Sequence, residues 1–271
     1  MELEGKTALV LGAVKGIGKA IALALARQGV QVAVTYWDWR EHLATLRRDF
    51  ADLGAHPLML EIDLLDTDAI ADAVQRVVDH CGGLDILINN IERGGWPVVH
   101  GPYVRSQWDL ELATTLRAKR WVFDAALPHL KAAKSAAVIN FSSIAGMVGR
   151  SGPAGLVFND GYAAANRAVS SLTETWARIG APSVRVNEIM LGIFETRHGP
   201  GTRGWGLLSK AQQNALIAHT PLKRIGTVQD VVAAVIFILR DAPFMTGSVL
   251  RIDGGYVLGG EDVPPMPAGV V

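Results

Sequence analysis

Short runs rich in apolar and β-branched residues recur along the chain at Thr7 to Leu11, Val30 to Thr35, Pro57 to Ile62, Ile86 to Asn89, Ala136 to Phe141, Val184 to Ile189 and Val249 to Ile252. Continuous apolar runs of this length are expected of strands buried on both faces of a parallel sheet. Between them the apolar positions change period. Ile17, Ile21 and Leu25, and then Ile70, Val74, Val77 and Val78, recur at the spacing of one helix face. Asp66 stands just ahead of the second series, where a side-chain acceptor caps a helix N-terminus. Alternation of strand and helix to the end of the chain predicts an α/β fold, a doubly wound parallel sheet of about seven strands with helices on both faces. No linker or repeat interrupts the series, so one domain over residues 1–258 is expected. Residues 259–271, with Pro264, Pro265 and Pro267, are expected to be an extended tail, frayed or packed on a neighbouring subunit.

The 271 residues carry 26 basic and 26 acidic side chains, and no stretch gathers lysine and arginine into a phosphate-tracking stripe. Nucleic acid is therefore not an expected partner. No run reaches the roughly 18 apolar residues of a membrane span, and Met1 to Lys6 lacks the layout of a signal peptide, so a cytoplasmic, soluble protein is expected. Cys81 is the single cysteine, which excludes an internal disulfide and a cysteine cage; no metal is expected.

The first strand run leads into Gly12-Ala13-Val14-Lys15-Gly16-Ile17-Gly18, with helical period beginning at Ile17. Glycines at such a junction permit backbone angles that side chains forbid. They also let the main chain approach a pyrophosphate and aim helix N-terminal amides at the anion. The alternative is a turn that only packs helix on sheet.

This spacing of glycines resembles that of the short-chain dehydrogenase/reductase family, and further landmarks extend the resemblance over about Leu3 to Leu258. Asp63 is similar to the family's adenine contact. Asp85 to Asn90 resembles its fourth strand with terminal asparagines, Asn89 included. Ile139 to Ser143 resembles the strand ending in the catalytic serine, Ser143, and Tyr162 matches the catalytic tyrosine. Gly192 and Thr196 match the positions that grip the nicotinamide carboxamide, and Pro221 to Gly226, Thr246-Gly247 and Asp253 to Gly255 reproduce the closing signature. The resemblance implies an oxidoreductase with cofactor contacts at Gly12, Lys15, Gly16, Ile17, Gly18, Asp63, Asn89, Gly192 and Thr196. It also implies a dimer or tetramer associating through the helices that contain Thr115 and Tyr162.

Three positions depart from the family. The lysine four residues after the tyrosine, which lowers the phenol's pKa, is Asn166 here; without such a cation a phenol of ordinary pKa is only about one part in a thousand ionised at pH 7. Loss of the base hurts alcohol oxidation more than carbonyl reduction, which needs a neutral phenol. The family's active-site asparagine aligns with Thr115. Lys119, four residues on and on the same helix face, either reaches toward Tyr162 or is a solvated or interface lysine. Glu92 replaces a residue beside the cofactor path, where it either obstructs nucleotide or turns out to pair with Arg93. In addition, 19 residues separate Ser143 from Tyr162, several more than the family pattern, so Gly149 to Gly155 reads as an inserted loop at the substrate mouth, near Trp96, Trp205 and Leu207.

Tyr36, Trp37 and Asp38 end the second strand run, where an acidic residue favours NAD and a basic one NADP. Lys15 favours the extra phosphate and Asp38 opposes it. The balance leans to NADP, with NAD the alternative. Two functions follow: carbonyl/alcohol interconversion on a bulky apolar small molecule, or a non-catalytic subunit that keeps the fold to oligomerise, also with an active relative.

Overall fold

Alternate side chains of a strand face opposite ways, and the first strand shows both faces being buried. In the computed structural model, which describes residues 1–91, 105–196 and 205–269, β1 (Thr7–Val10) sends Ala8 and Val10 into one apolar cluster while Leu9 joins another. The first cluster lies under α1 (Gly16–Arg27), α2 (Leu43–Ala51) and α9 (Val228–Ile236), through Ile21, Leu25, Leu46, Phe50, Val231 and Val235. The second lies under α3 (Thr67–Cys81), α5 (Ala118–Ala132) and α7 (Asp160–Gly180). At its centre Phe123 of α5 and Trp176 of α7 stack with ring centroids 4.3 Å apart.

The remaining strands are β2 (Gln31–Tyr36), β3 (Leu58–Glu61), β4 (Ile86–Asn89), β5 (Ala136–Ser143), β6 (Val184–Leu191) and β7 (Val249–Ile252). Among the described residues the sheet is parallel, in the order β3-β2-β1-β4-β5-β6-β7. The doubly wound architecture expected from the hydrophobic pattern is thus the observed one. Strand order reverses between β1 and β4, and ligands of such sheets bind beyond the strand C-termini at that switch point. β5 and β6 run two residues further than their apolar stretches, pairing through Ser143 and Leu191. The β4 pairing ends at Asn89 and Asn140, and pairing with β6 alone, to Met190 and Leu191, carries Ser142 and Ser143 on in the ladder although neither is apolar.

Asp66 caps α3 as expected, its carboxylate accepting from the amides of Asp68 at 3.1 Å and Ala69 at 3.3 Å. Asp66→Ala is expected to lower stability by about 1 kcal/mol, seen as a lower urea midpoint at unchanged slope, because it leaves first-turn amides without a protein partner.

α4 (Arg105–Leu112) continues through a π-helical turn, Ala113–Arg117, into α5. Two other short elements complete the upper rim: α6 (Ala145–Val148) and α8 (Lys210–His219). No helix among the described residues is long and apolar enough to cross a membrane.

Candidate active site and nucleotide cleft

The turn from β1 to α1 is shaped by the end of β4 across the switch point. Gly12 holds φ = +63°, and a Cβ there would stand 2.8 Å from the Asn90 carbonyl oxygen. Gly18 is equally confined, since its Cβ would meet the Gly12 carbonyl and approach Asn90 Nδ2 to 2.8 Å. Asn90 Nδ2 in turn donates to the carbonyls of Leu11 and Gly12, each at 3.4 Å, and the Gly12 amide donates to Thr35 Oγ1 at 3.2 Å. The glycines therefore serve packing, yet the turn stays open where an anion would lie. A Cβ on Gly16 would meet only the Thr196 carbonyl, at 3.5 Å. Lys15, the N-cap of α1, makes no side-chain bond to the first turn, and Ile17, the first residue after Gly16, is half-buried against the core. That combination of uncapped helix start and glycine floor suits a pyrophosphate.

Beside the turn runs a cleft lined by Gly12, Tyr36, Trp37, Asp63, Asn90 and Thr114. Asp63 sits within it, one carboxylate oxygen accepting from the Leu65 amide at 3.0 Å in a local turn. Lys15 places its ammonium over the Trp39 ring, 3.1 Å from the centroid, a cation–π contact that holds positive charge just past the end of β2.

Not every expected contact faces this cleft. Asn89 is fully buried beneath it; its amide donates to Asn140 Oδ1 at 3.2 Å and to the Lys119 carbonyl at 3.4 Å. Gly192 is placed by β7, since a Cβ would stand 2.5 Å from Asp253 Cα. Thr196 lies near the glycine turn through its carbonyl. Glu92, Arg93 and Trp96 lie outside the described residues.

The candidate catalytic pair is assembled from two segments. Ser143 ends β5 and its Oγ accepts from the Ala145 amide at 3.1 Å. Tyr162 occupies the first turn of α7, where Asn159 caps the helix by accepting from the Tyr162 amide at 2.7 Å. Asn159 is itself held by Glu111 of α4, to which it donates at 3.0 Å. What brings the segments together is Gly146: a Cβ there would lie 2.7 Å from the Arg167 amide nitrogen and 3.0 Å from the Asn166 carbonyl carbon. The turn after Ser143 thus rests on the α7 backbone one turn from Tyr162. Tyr162 also packs on the apolar cluster formed by Ile144, Ala145, Ala154, Phe158, Met190, Leu216 and Tyr256.

Asn166 is fully buried and turned into its own helix, donating to the Tyr162 carbonyl at 2.9 Å. Arg167 is exposed, pointing away from the site as its helical phase requires. Thr115 is buried in the π-helical turn, and its hydroxyl has no hydrogen-bond partner among the described residues. Lys119 corrects one expectation: it is 1% exposed, and its ammonium donates to the Ile91 carbonyl beside the cleft. A solvated or interface lysine is therefore overturned. Burial decided this, which helical phase alone does not reveal.

The loop that the sequence reads as inserted is packed down. Gly152–Leu156 forms a 3-10 turn whose Ala154 amide donates to Tyr256 Oη at 2.7 Å. Tyr256 is buried against His219, ring centroids 4.5 Å apart. Burial pushes the Tyr256 phenol above its ordinary pKa, and the Ala154 amide partly offsets this. Trp205 joins the same wall, whereas Leu207 is exposed.

Asn90, Gly146, Asn159 and Glu188 also build the site and were not singled out by sequence reasoning. Asn159 had a signal, an Asn just ahead of a helical stretch, and so did Glu188, a carboxylate inside an apolar strand run. Gly146 had none.

Comparison with known proteins gives concordant relatives. A family model described as enoyl-(acyl carrier protein) reductase matches residues 12–257. The 3-oxoacyl-(acyl-carrier-protein) reductase FabG of Thermotoga maritima is 31% identical over 95% of this chain and 100% of its own. A Bradyrhizobium diazoefficiens protein named "Probable short-chain type dehydrogenase/reductase" is 35% identical over 98% of this chain and 95% of its own. The solved short-chain dehydrogenase/reductase from Serratia marcescens superposes with a TM-score of 0.80 at 26% identity, covering 95% of this chain and 100% of that one.

Proposed function

Because the chain belongs to the short-chain dehydrogenase/reductase family, we propose that it is an NAD(P)-dependent oxidoreductase that reduces the carbonyl of a bulky apolar small molecule. The observation that carries this reading is the meeting of the Ser143 turn and Tyr162 on one apolar cluster, brought into contact by Gly146, beside an open glycine turn. Gly12, Gly16, Ile17 and Gly18 would hold the pyrophosphate, Asp63 the adenosine end, and Thr196 the far side of the turn. Lys15, fixed on Trp39, supplies a cation near the end of β2 and favours NADP over NAD. Bound dinucleotide would supply the hydride. Ser143 polarises the substrate oxygen, and the neutral phenol of Tyr162 donates the proton to it. The wall formed by Ala154, Phe158 and Tyr256 excludes water and favours apolar substrates.

A single domain over residues 1–258, the tail beyond it, a cytoplasmic location and a homodimer or homotetramer belong to the same proposal. A second reading is favoured by one observation. Asn166 spends its amide on the Tyr162 carbonyl, so no cation stands where the family has one; a non-catalytic subunit paired with an active relative would tolerate this.

Nicotinamide fluorescence during titration with NADPH and NADH tests the reading. Enhanced emission with saturation at micromolar NADPH, and weaker binding of NADH, is expected. Silence with both would end the enzyme reading and leave the non-catalytic subunit.

A further inference from the structure

On the face of the sheet covered by α5 and α7, side chains change from apolar to polar toward the strand C-termini. Leu87, Val138 and Val186 give way to Asn89, Asn140, Ser142 and Glu188, all buried. Glu188 is the acidic member of this layer, and its position is unusual in that one oxygen serves two elements. Its Oε1 accepts from Ser142 Oγ of β5, the residue before Ser143, and from Ser170 Oγ of α7 at 3.1 Å. Ser170 lies four residues beyond Asn166 and eight beyond Tyr162, so the three share one stripe of α7. Its other oxygen, Oε2, is buried and has no partner among the described residues, and the same is true of Asn166 Oδ1. Two acceptors left without a donor in a buried layer are costly. A proton on Glu188 would make Oε2 a donor, and the unpartnered acceptor on the neighbouring turn of α7, one turn from Ser170, is Asn166 Oδ1.

We propose that Glu188 is a positioning residue for Ser143 and Tyr162, a protonated carboxyl that ties β5 to α7 through Ser142, Ser170 and Asn166. Asn166 then has a role distinct from that of the lysine it replaces: held by Glu188, it grips the Tyr162 carbonyl and fixes the first turns of α7. The charged groups acting on Glu188 are Lys119 of α5 and Arg167 of α7, both of which favour ionisation, as do the two serine bonds. Burial opposes them and is the larger effect, holding the carboxyl above its ordinary range. The sign follows. A raised carboxyl pKa makes the tie complete at low pH, and it loosens as pH rises through the folded-state value.

The inference rests on the catalytic reading for its meaning but is tested apart from turnover, by hydrogen exchange of the full-length protein along a pH series from 5 to 9, corrected for intrinsic rates. In the wild type, protection of residues 160–168 is expected to fall about tenfold along the series as Glu188 ionises. Glu188→Gln, which keeps the acceptor and carries a permanent donor, is expected to stay protected throughout. Glu188→Ala is expected to exchange about tenfold faster than wild type at the acid end of the series, in residues 160–168 and in 141–145. Should that variant not fold, Ser170→Ala cuts only the α7 arm and is expected to loosen 160–168 alone. In the kinetic arm, NADPH-dependent reduction of propiophenone or acetoacetyl-coenzyme A by Glu188→Ala is expected to lose about tenfold in kcat at unchanged KM for NADPH. A Glu188→Gln protein that titrates as the wild type does, or alanine variants that leave exchange unchanged, would overturn the proposal. Absence of turnover in the wild type would instead count against the catalytic reading, with the exchange result standing.

Discussion

Tyr162→Phe is expected to reduce carbonyl reduction by about 10²–10⁴-fold while leaving NADPH binding within about twofold of wild type. The phenol oxygen is the only atom removed. The ring stays against Phe158, whose centroid lies 5.8 Å away, and the backbone amide stays capped by Asn159, so α7 keeps its start. A loss in kcat without a change in melting temperature therefore reports proton donation and not folding. The check is initial-rate kinetics over a panel of apolar ketones, beside nicotinamide fluorescence for binding. Equal rates in the two proteins would remove Tyr162 as the acid. The same experiment in the direction of alcohol oxidation is expected to start from a lower wild-type rate, since Asn166 supplies no cation to stabilise a phenolate.

Gly146→Val is expected to abolish turnover and to destabilise the protein by about 1–3 kcal/mol or more, the range for overpacking a site that cannot relax easily. The first added carbon alone would stand 2.7 Å from the Arg167 amide nitrogen and 3.0 Å from its Cα. Both are backbone atoms of a long helix packed on the sheet, so neither can swing aside as a side-chain tip does. The segment after Ser143 must move instead, and displacement of this size costs rate steeply when two groups act on one oxygen. Gly83→Ala is the control, because a Cβ there meets nothing within 4 Å. Thermal melts and the ketone assay together decide the matter; a Gly146→Val protein that melts and turns over like the Gly83→Ala control would refute the packing argument.

Much of the site was legible because each landmark is local. A glycine turn between a strand run and a helical run and an Asp ahead of α3 announce themselves within a few residues, since turn angles and caps depend on near neighbours. Side-chain direction was less legible. Asn89 and Asn90 are adjacent, yet one is buried under the strand and the other staples the glycine turn, because strand neighbours face opposite sides and β4 ends between them. Lys119 follows the same logic. Its helix phase puts it on the face of Thr115, but its burial depends on elements far away in the chain.

Periodicity and turn chemistry alone determined the parallel sheet, its covering helices and the place of the glycine turn, because those follow from where apolar side chains must hide. Tertiary structure decided which of the candidate groups meet. Gly146 against α7, Glu188 between two serines and Tyr256 holding the loop at Ala154 join residues 18 to 102 positions apart. Contacts across such separations arise from the packing of whole elements, and no local pattern of side chains encodes them.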